Sequence, residues 1–228
     1  MNTCKTLITS TLLAAGLISG AAQAALTVVN AGFNDQTGWT LTNDARLGNP
    51  GGTAPWTWKT PVAGNTITST ETINPTEGSG FGITYAGSDI FRQNVNIATA
   101  GDYLFSVKAN ALTGTAFVPS NNVTLQLGNG TFDLFACQSP CPTTIPSSSR
   151  SLINSVVTAN DWVTYTWTVA LGAGIFDVGI RNRATGVYAI AYDDFSITAV
   201  PEPETYAMLL AGLGLVGYAA RRKNRNAA

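Results

Sequence analysis

Trp162-Val163-Thr164-Tyr165-Thr166-Trp167-Thr168-Val169-Ala170 puts Val163, Tyr165, Trp167 and Val169 at alternate positions, with threonine at 164, 166 and 168. A strict period of two describes a strand with one face buried and the other wetted. The same alternation recurs on either side. Tyr103, Phe105 and Val107 oppose Leu104, Ser106 and Lys108 between Asp102 and Ala109. Val123, Leu125 and Leu127 alternate with Thr124 and Gln126, and Phe176, Val178 and Ile180 with Asp177, Gly179 and Arg181. Tyr188 to Thr198 reads as the closing strand with Phe195 and Ile197 inward, while Thr66–Thr72 and Phe81–Tyr85 are weaker candidates. A helical pattern is almost absent between Ala25 and Val200, turn signals are frequent, and no internal repeat is found. This predicts an all-β sandwich or barrel. Long loops are expected at Asn43–Gly64 and Ser139–Arg150.

The two ends follow different rules. Residues 1–24 carry Lys5, a short apolar run through Leu12, Leu13, Leu17 and Ile18, and a closing Ala22-Gln23-Ala24. That is a secretory signal peptide, with the mature chain expected to begin at Ala25. At the far end Val200-Pro201-Glu202-Pro203-Glu204 precedes an apolar run from Tyr206 to Ala220, then Arg221, Arg222, Lys223 and Arg225. The run predicts a transmembrane-type helix on the short side for a span. Its basic end is expected on the cytoplasmic side of an inner membrane. Pro201 and Pro203 cannot join a sheet ladder, so the β-domain is expected over 25–199 and the tail over 200–228.

Residues 25–200 carry seven Lys and Arg against eleven Asp and Glu, a net of −4, and are rich in Thr, Asn, Gly and Ser. An acidic, weakly charged domain disfavours a nucleic-acid partner. Once the signal peptide and its Cys4 are gone, Cys137 and Cys141 remain. In an exported chain they predict a local disulfide on a Pro/Ser loop. Zinc lacks ligands, because the chain has no histidine and no second cysteine pair.

The absence of histidine removes Ser-His-Asp and Cys-His nucleophile systems, and no phosphate- or dinucleotide-binding fingerprint occurs. Asp193 and Asp194 are adjacent, so on a strand they face opposite sides and cannot act as a facing carboxylate pair. No enzyme activity is expected.

Two segments resemble known families. The tail from Val200 resembles the PEP-CTERM sorting signal in its Pro-Glu-Pro, apolar span and basic cluster. The resemblance implies recognition by exosortase in a Gram-negative, exopolysaccharide-producing host, and delivery to the surface or extracellular matrix. The domain resembles jelly-roll carbohydrate-binding modules and galactose-binding-like sandwiches. The likeness lies in Asn30-Ala31-Gly32-Phe33-Asn34-Asp35-Gln36-Thr37-Gly38-Trp39, in Gln93 with Gly101–Val107, in Asp161–Tyr165 and in Tyr192–Ile197. It implies a jelly-roll-like β-sandwich and a structural Ca2+ held near Asp35 and Asp194, with Asn34 where an acidic residue is usual. The alternative is that Asp194 caps backbone amides between the first and last strands.

Trp39, Trp162 and Trp167 fall in strand patterns and are expected in the core. Trp56 and Trp58 share a side of an extended Pro55–Lys59 segment. They are either a platform for stacking a sugar ring or a loop tucked over the sandwich. The expected function is a sorted surface or matrix protein with a non-catalytic structural or adhesive role. The rival is a module that binds an extracellular polysaccharide.

Overall fold

The computed structural model describes residues 26–48, 53–85, 89–128, 130–142, 144–150, 155–156, 161–183, 188–201 and 203–225. The expected signal peptide and the Ala25 start lie outside the described residues. In chain order the strands are β1 (Thr40–Thr42), β2 (Trp56–Lys59), β3 (Thr66–Ser69), β4 (Gly82–Thr84), β5 (Ile90–Ile97), β6 (Gly101–Ala111) and β7 (Gly114–Val118). Then come β8 (Val123–Gln126), β9 (Thr131–Gln138), β10 (Ser155–Val156), β11 (Val163–Leu171), β12 (Gly174–Asn182) and β13 (Ile190–Ala199), followed by helix α1 (Pro203–Arg225).

The strands form a first sheet β1-β5-β12-β9-β10, a second sheet β11-β6-β13-β4 and a third sheet β2-β3-β7-β8, and every strand pairing is antiparallel. The Trp162–Ala170 pattern becomes β11, paired in unbroken register with β6 from Val163 opposite Ala109 to Leu171 opposite Gly101. Tyr165, Trp167 and Val169 pack on the main core, and the threonines face water.

That core lies between the first two sheets. Phe91 of β5 and Phe132 of β9 meet Tyr192 of β13, edge to face. Phe105 of β6 meets Phe195 of β13. Each fully buried aromatic of this kind is worth about 2–3 kcal/mol against leaving it in water. The fold is therefore an all-β, jelly-roll-like sandwich with one C-terminal helix.

The third sheet was not legible as a unit. It packs Trp56, Trp58, Ile67 and Ala116 against Ile83 of β4 and Ala191 of β13. In β13, Ala191 is buried in that second cluster while Ile190 and Tyr192 are buried in the main core. One end of the second sheet is thus buried on both faces. Trp39 and Trp167 join the main core as expected, but Trp162 packs on the second cluster against Phe81.

Helix α1 forms over the expected apolar run, with Leu209, Leu210, Leu213, Leu215 and Val216 exposed. No helix among the described residues is long and apolar enough to cross a membrane. This corrects the transmembrane reading of 206–220. Glu204 and Arg221 close the apolar stretch, and Gly212, Gly214 and Gly217 dilute it. At a rise of about 1.5 Å per residue such a stretch spans roughly 22 Å against a hydrocarbon core of about 30 Å.

Candidate functional site

Strand register decides which side chains share a face. In the first sheet, Thr42, Ile90, Arg181 and Asp133 form one row. Thr40, Arg92, Gly179 and Phe135 form the next, and Asn94, Asp177 and Cys137 a third. Their neighbours Phe91, Val95, Val178, Ile180, Leu134 and Ala136 face the main core. The three rows therefore point to the opposite, outer face.

On that face the charges are organised. Gly179, at φ +157°, leaves a gap in its row, because a Cβ there would run into the Phe91 carbonyl. The Arg92 guanidinium lies across this gap over the Phe135 ring, 5.9 Å from its centroid. Arg92 Nη1 is 3.8 Å from Asp177 Oδ2, and Asp177 also accepts from the Asn94 amide and, at 2.7 Å, from the Cys141 backbone N–H. Asp133 is fully buried beneath Arg183 Nε at 3.2 Å and Arg150 Nη1 at 3.7 Å. Burial pushes the Asp133 carboxyl up and the two arginines oppose that rise. Burial, then the neighbouring Arg150, lowers the Arg181 guanidinium.

A cleft of about 370 Å3 opens on this face, lined by Thr40, Thr42, Asn43, Ile90, Arg92, Cys141 and Arg181. The Nε atoms of both arginines are buried without a hydrogen-bond partner. Cys141 contributes to the cleft's lining and is held there by its disulfide to Cys137, the two Cα atoms being 5.5 Å apart. The disulfide loop folds Cys141 and Ile145 over Ile90 and Phe135 as a small apolar cluster. Sequence reading identified the disulfide but not the cleft. The missed signal was in β5, where Phe91, Gln93, Val95 and Ile97 alternate with Arg92, Asn94 and Asn96.

The first and last strands meet at a different place. Leu26 bridges to Ile197, and the Phe195 N–H donates to Ala31 O. Between Asp193 and Ser196 the register slips in a bulge, with Asp194 at φ +53°. Asp193 is fully buried, and its Oδ2 accepts from the Thr76 N–H, the Thr76 hydroxyl and the Glu77 N–H. Its Oδ1 accepts the Asp194 N–H at 2.8 Å. Asp193, rather than Asp194, caps backbone amides here, and those amides belong to the loop of Thr76 and Glu77 and to Asp194, not to the first strand. Asp194 faces outward and pairs with Lys108 Nζ at 3.0 Å.

Asp35 Oδ1 accepts from the Thr37 N–H at 2.7 Å and Asn30 Nδ2 at 3.1 Å, and the Thr37 bond lowers its pKa. Asn34 Oδ1 accepts from Ser79 and from the Gly80 N–H. Calcium needs six to eight oxygens turned toward one point. Here the carboxylate and amide oxygens are turned to N–H and O–H donors or to the Lys108 ammonium. Among the described residues no cluster of acidic or cysteine side chains is placed to hold a metal. The residues present do not fit a calcium site.

Trp56 and Trp58 are buried in β2, at 8% and 2% exposure. The Trp56 indole N–H donates to Glu71 O at 3.0 Å. Alternation within β2 turns both rings inward onto Ile67 and the second cluster. Neither indole is an exposed stacking platform, which corrects that reading.

At the end of β13, Val200 N–H donates to Asp102 O at 2.8 Å, and Pro201 is exposed immediately after it. Glu202 lies outside the described residues, and α1 begins at Pro203. Residues 199–223 match the family model described as the PEP-CTERM protein-sorting motif. The tail is a PEP-CTERM sorting motif. It takes in Val200, Pro201, Glu202, Pro203, Arg221, Arg222 and Lys223, and Arg225 falls just beyond it. A PEP-CTERM motif implies export and processing by exosortase.

No curated protein matches the chain. Among solved structures, TmCBM61 in complex with β-1,4-galactotriose is similar at 11% identity and TM-score 0.46, covering 78% of this chain and 100% of that one. The CBM22-1 xylan-binding domain of Paenibacillus barcinonensis Xyn10C is similar at 11% identity and TM-score 0.44, covering 75% and 93%. A cyclase from Fischerella sp. TAU is similar at 16% identity and TM-score 0.49, covering 78% and 98%. These neighbours include binding domains and a catalyst, and the sandwich assignment above rests on the chain's own strand pairings.

Proposed function

We propose that this is an exported protein sorted by exosortase to the surface or exopolysaccharide matrix of a Gram-negative bacterium, with a non-catalytic structural or adhesive role. The observation that carries the reading is the PEP-CTERM match over 199–223, set directly after the last strand of the sandwich. Pro201 is exposed between the sheet and α1, where a membrane-embedded processing enzyme can reach extended backbone. The exposed leucines of α1 and the basic cluster after them favour association of the unprocessed chain with the surface of the inner membrane. Intact-mass analysis of protein recovered from medium and envelope tests this. A mature product beginning at Ala25 and lacking Arg221–Arg225 is expected. Recovery of surface protein that retains Arg225 in its tryptic map overturns it.

The cleft on the first sheet favours a second reading, in which the domain binds an extracellular polysaccharide. Its lining brings the polar residues Thr40, Thr42, Asn43, Arg92 and Arg181 together beside Ile90 and Cys141. Such groups orient sugar hydroxyls in concave sites. Binding of a matrix glycan that survives in a tail-truncated chain and fails in an Arg92→Gln variant is the expected result.

A further inference from the structure

We infer that the cleft bounded by Arg92 and Arg181 recognises the carboxylate of a uronic acid, so that the glycan bound is an acidic polysaccharide. The inference rests on the polysaccharide-binding reading and specifies its ligand class.

Charge distribution is the first support. Residues 25–200 are net acidic, with seven cations in all. Four of those seven, Arg92, Arg150, Arg181 and Arg183, gather on the outer face of the first sheet. Among the described residues Asp133 and Asp177 are the carboxylates that pair with them there. An anionic polymer is repelled by most of this domain and attracted to one face of it.

Donor supply is the second support. Arg150 and Arg183 are committed to Asp133. Arg92 reaches Asp177 only at 3.8 Å and through one nitrogen. Among the described residues Arg181 has no ion pair within 4 Å, although it stands opposite Asp133 in register. Among the described residues both guanidiniums therefore retain Nη groups outside any ion pair for an acceptor, while their Nε atoms are buried away from solvent. A guanidinium presents a planar fork that matches a carboxylate.

Shape is the third support. Thr40 stands beside Arg92 in its row, and Thr42 stands in the row of Arg181 with Ile90 between them, so both threonines line the same cleft as the guanidiniums. Gly179 and Phe135 keep Arg92 flat on the sheet floor, which spares part of the ordering cost on binding. Roughly 370 Å3 fits a sugar unit or two.

The test is calorimetric titration of the purified full chain with trigalacturonate and with the corresponding neutral trisaccharide. Tighter binding of the acid is expected, weakened about tenfold by raising salt from 0.05 to 0.5 M. Arg181→Gln should weaken it about tenfold, Arg92→Gln similarly, and Arg92→Lys less than Arg92→Gln. Thermal melts check that each variant is folded, and the salt titration on the unaltered chain stands even where Arg92→Gln fails to fold. Equal binding of acid and neutral sugar, or binding of the acid unaffected by Arg181→Gln and salt, overturns this inference and leaves the polysaccharide reading intact. Complete competition by acetate at equal carboxylate concentration also overturns it, because a bare anion site needs no sugar. Binding of neither sugar overturns both.

Discussion

Gly179 and Glu77 show how single residues set up the molecule. At Gly179 the backbone is at φ +157° and any Cβ meets the neighbouring strand's carbonyl, so Gly179→Ala must move β12 away from β5. A loss of about 2–4 kcal/mol is expected from such strain in a central strand, read as a lower denaturation midpoint in urea. Glu77 lies against Asp194 and Asp193. Partial burial and then those two carboxylates raise its pKa. A carboxyl raised in the folded state binds its proton more tightly there than in the unfolded chain. Its contribution is fully present below the ordinary glutamate value and is lost as pH rises through the folded one. Glu77→Gln should therefore raise Tm at pH 7 by about 1–2 °C, solvent screening being strong at this exposed site, and leave it unchanged near pH 4. Equal shifts at both values would show that the neighbouring carboxylates do not act on Glu77.

At the scale of elements, the disulfide loop and the tail differ in what they can be asked to do. Cys137 and Cys141 close a loop of only a few residues, so the chain-entropy gain is small, about 2 kcal/mol. Reduction should lower Tm by no more than several degrees. It should disturb the cleft more than the core, since Cys141 and Ile145 cover Ile90 and Phe135. Hydrogen exchange should increase at Cys141, whose N–H is held by Asp177, while β6 and β13 stay protected. In the tail, replacing Pro201 and Pro203 with Ala restores an amide donor and frees the backbone to join a ladder or helix. Export should persist and uncut protein should accumulate at the inner membrane, visible as a heavier band in membrane fractions. Normal trimming of that variant would show that the prolines are not what the processing enzyme reads.

Over the whole molecule, the N-terminal segment closes onto the last strand through the Leu26–Ile197 bridge and the Phe195 N–H to Ala31 O bond, while Asp193 fastens β13 to the loop of Thr76 and Glu77 and Asp194 pairs with Lys108 of β6 where the resemblance implied a cation. Thermal unfolding in a chelator and in excess Ca2+ should give the same Tm. A ligand that bound only the native state would raise it by mass action, and such a rise would show that these oxygens can turn to a metal. Lys108→Met should cost less than about 1 kcal/mol, because the pair is partly exposed.

Alternation in β6, β11, β12 and β13 was enough to read the sandwich, because a strand buried on one face writes its period into the chain directly. The sorting motif was equally legible, since Pro201, Pro203, the apolar run and the basic cluster act in linear order. The third sheet was hidden, because β7 carries little apolar contrast, the alternation read at Val123 and Leu125 does not report burial since all of β8 is exposed, and both strands find their partners only through pairing with β3 and each other. Trp56 and Trp58 showed their shared side in sequence, but whether that side faced water or core depended on Ile83 and Ala191, distant in the chain. The arginine cleft was invisible for the same reason. Thr40, Arg92, Arg181 and Cys141 come from separate strands and a loop, and only register and the disulfide bring them to one face. Local chemistry is a property of neighbours along the chain, whereas a site assembled across strands exists only once hydrogen-bonded pairing has chosen which residues stand side by side.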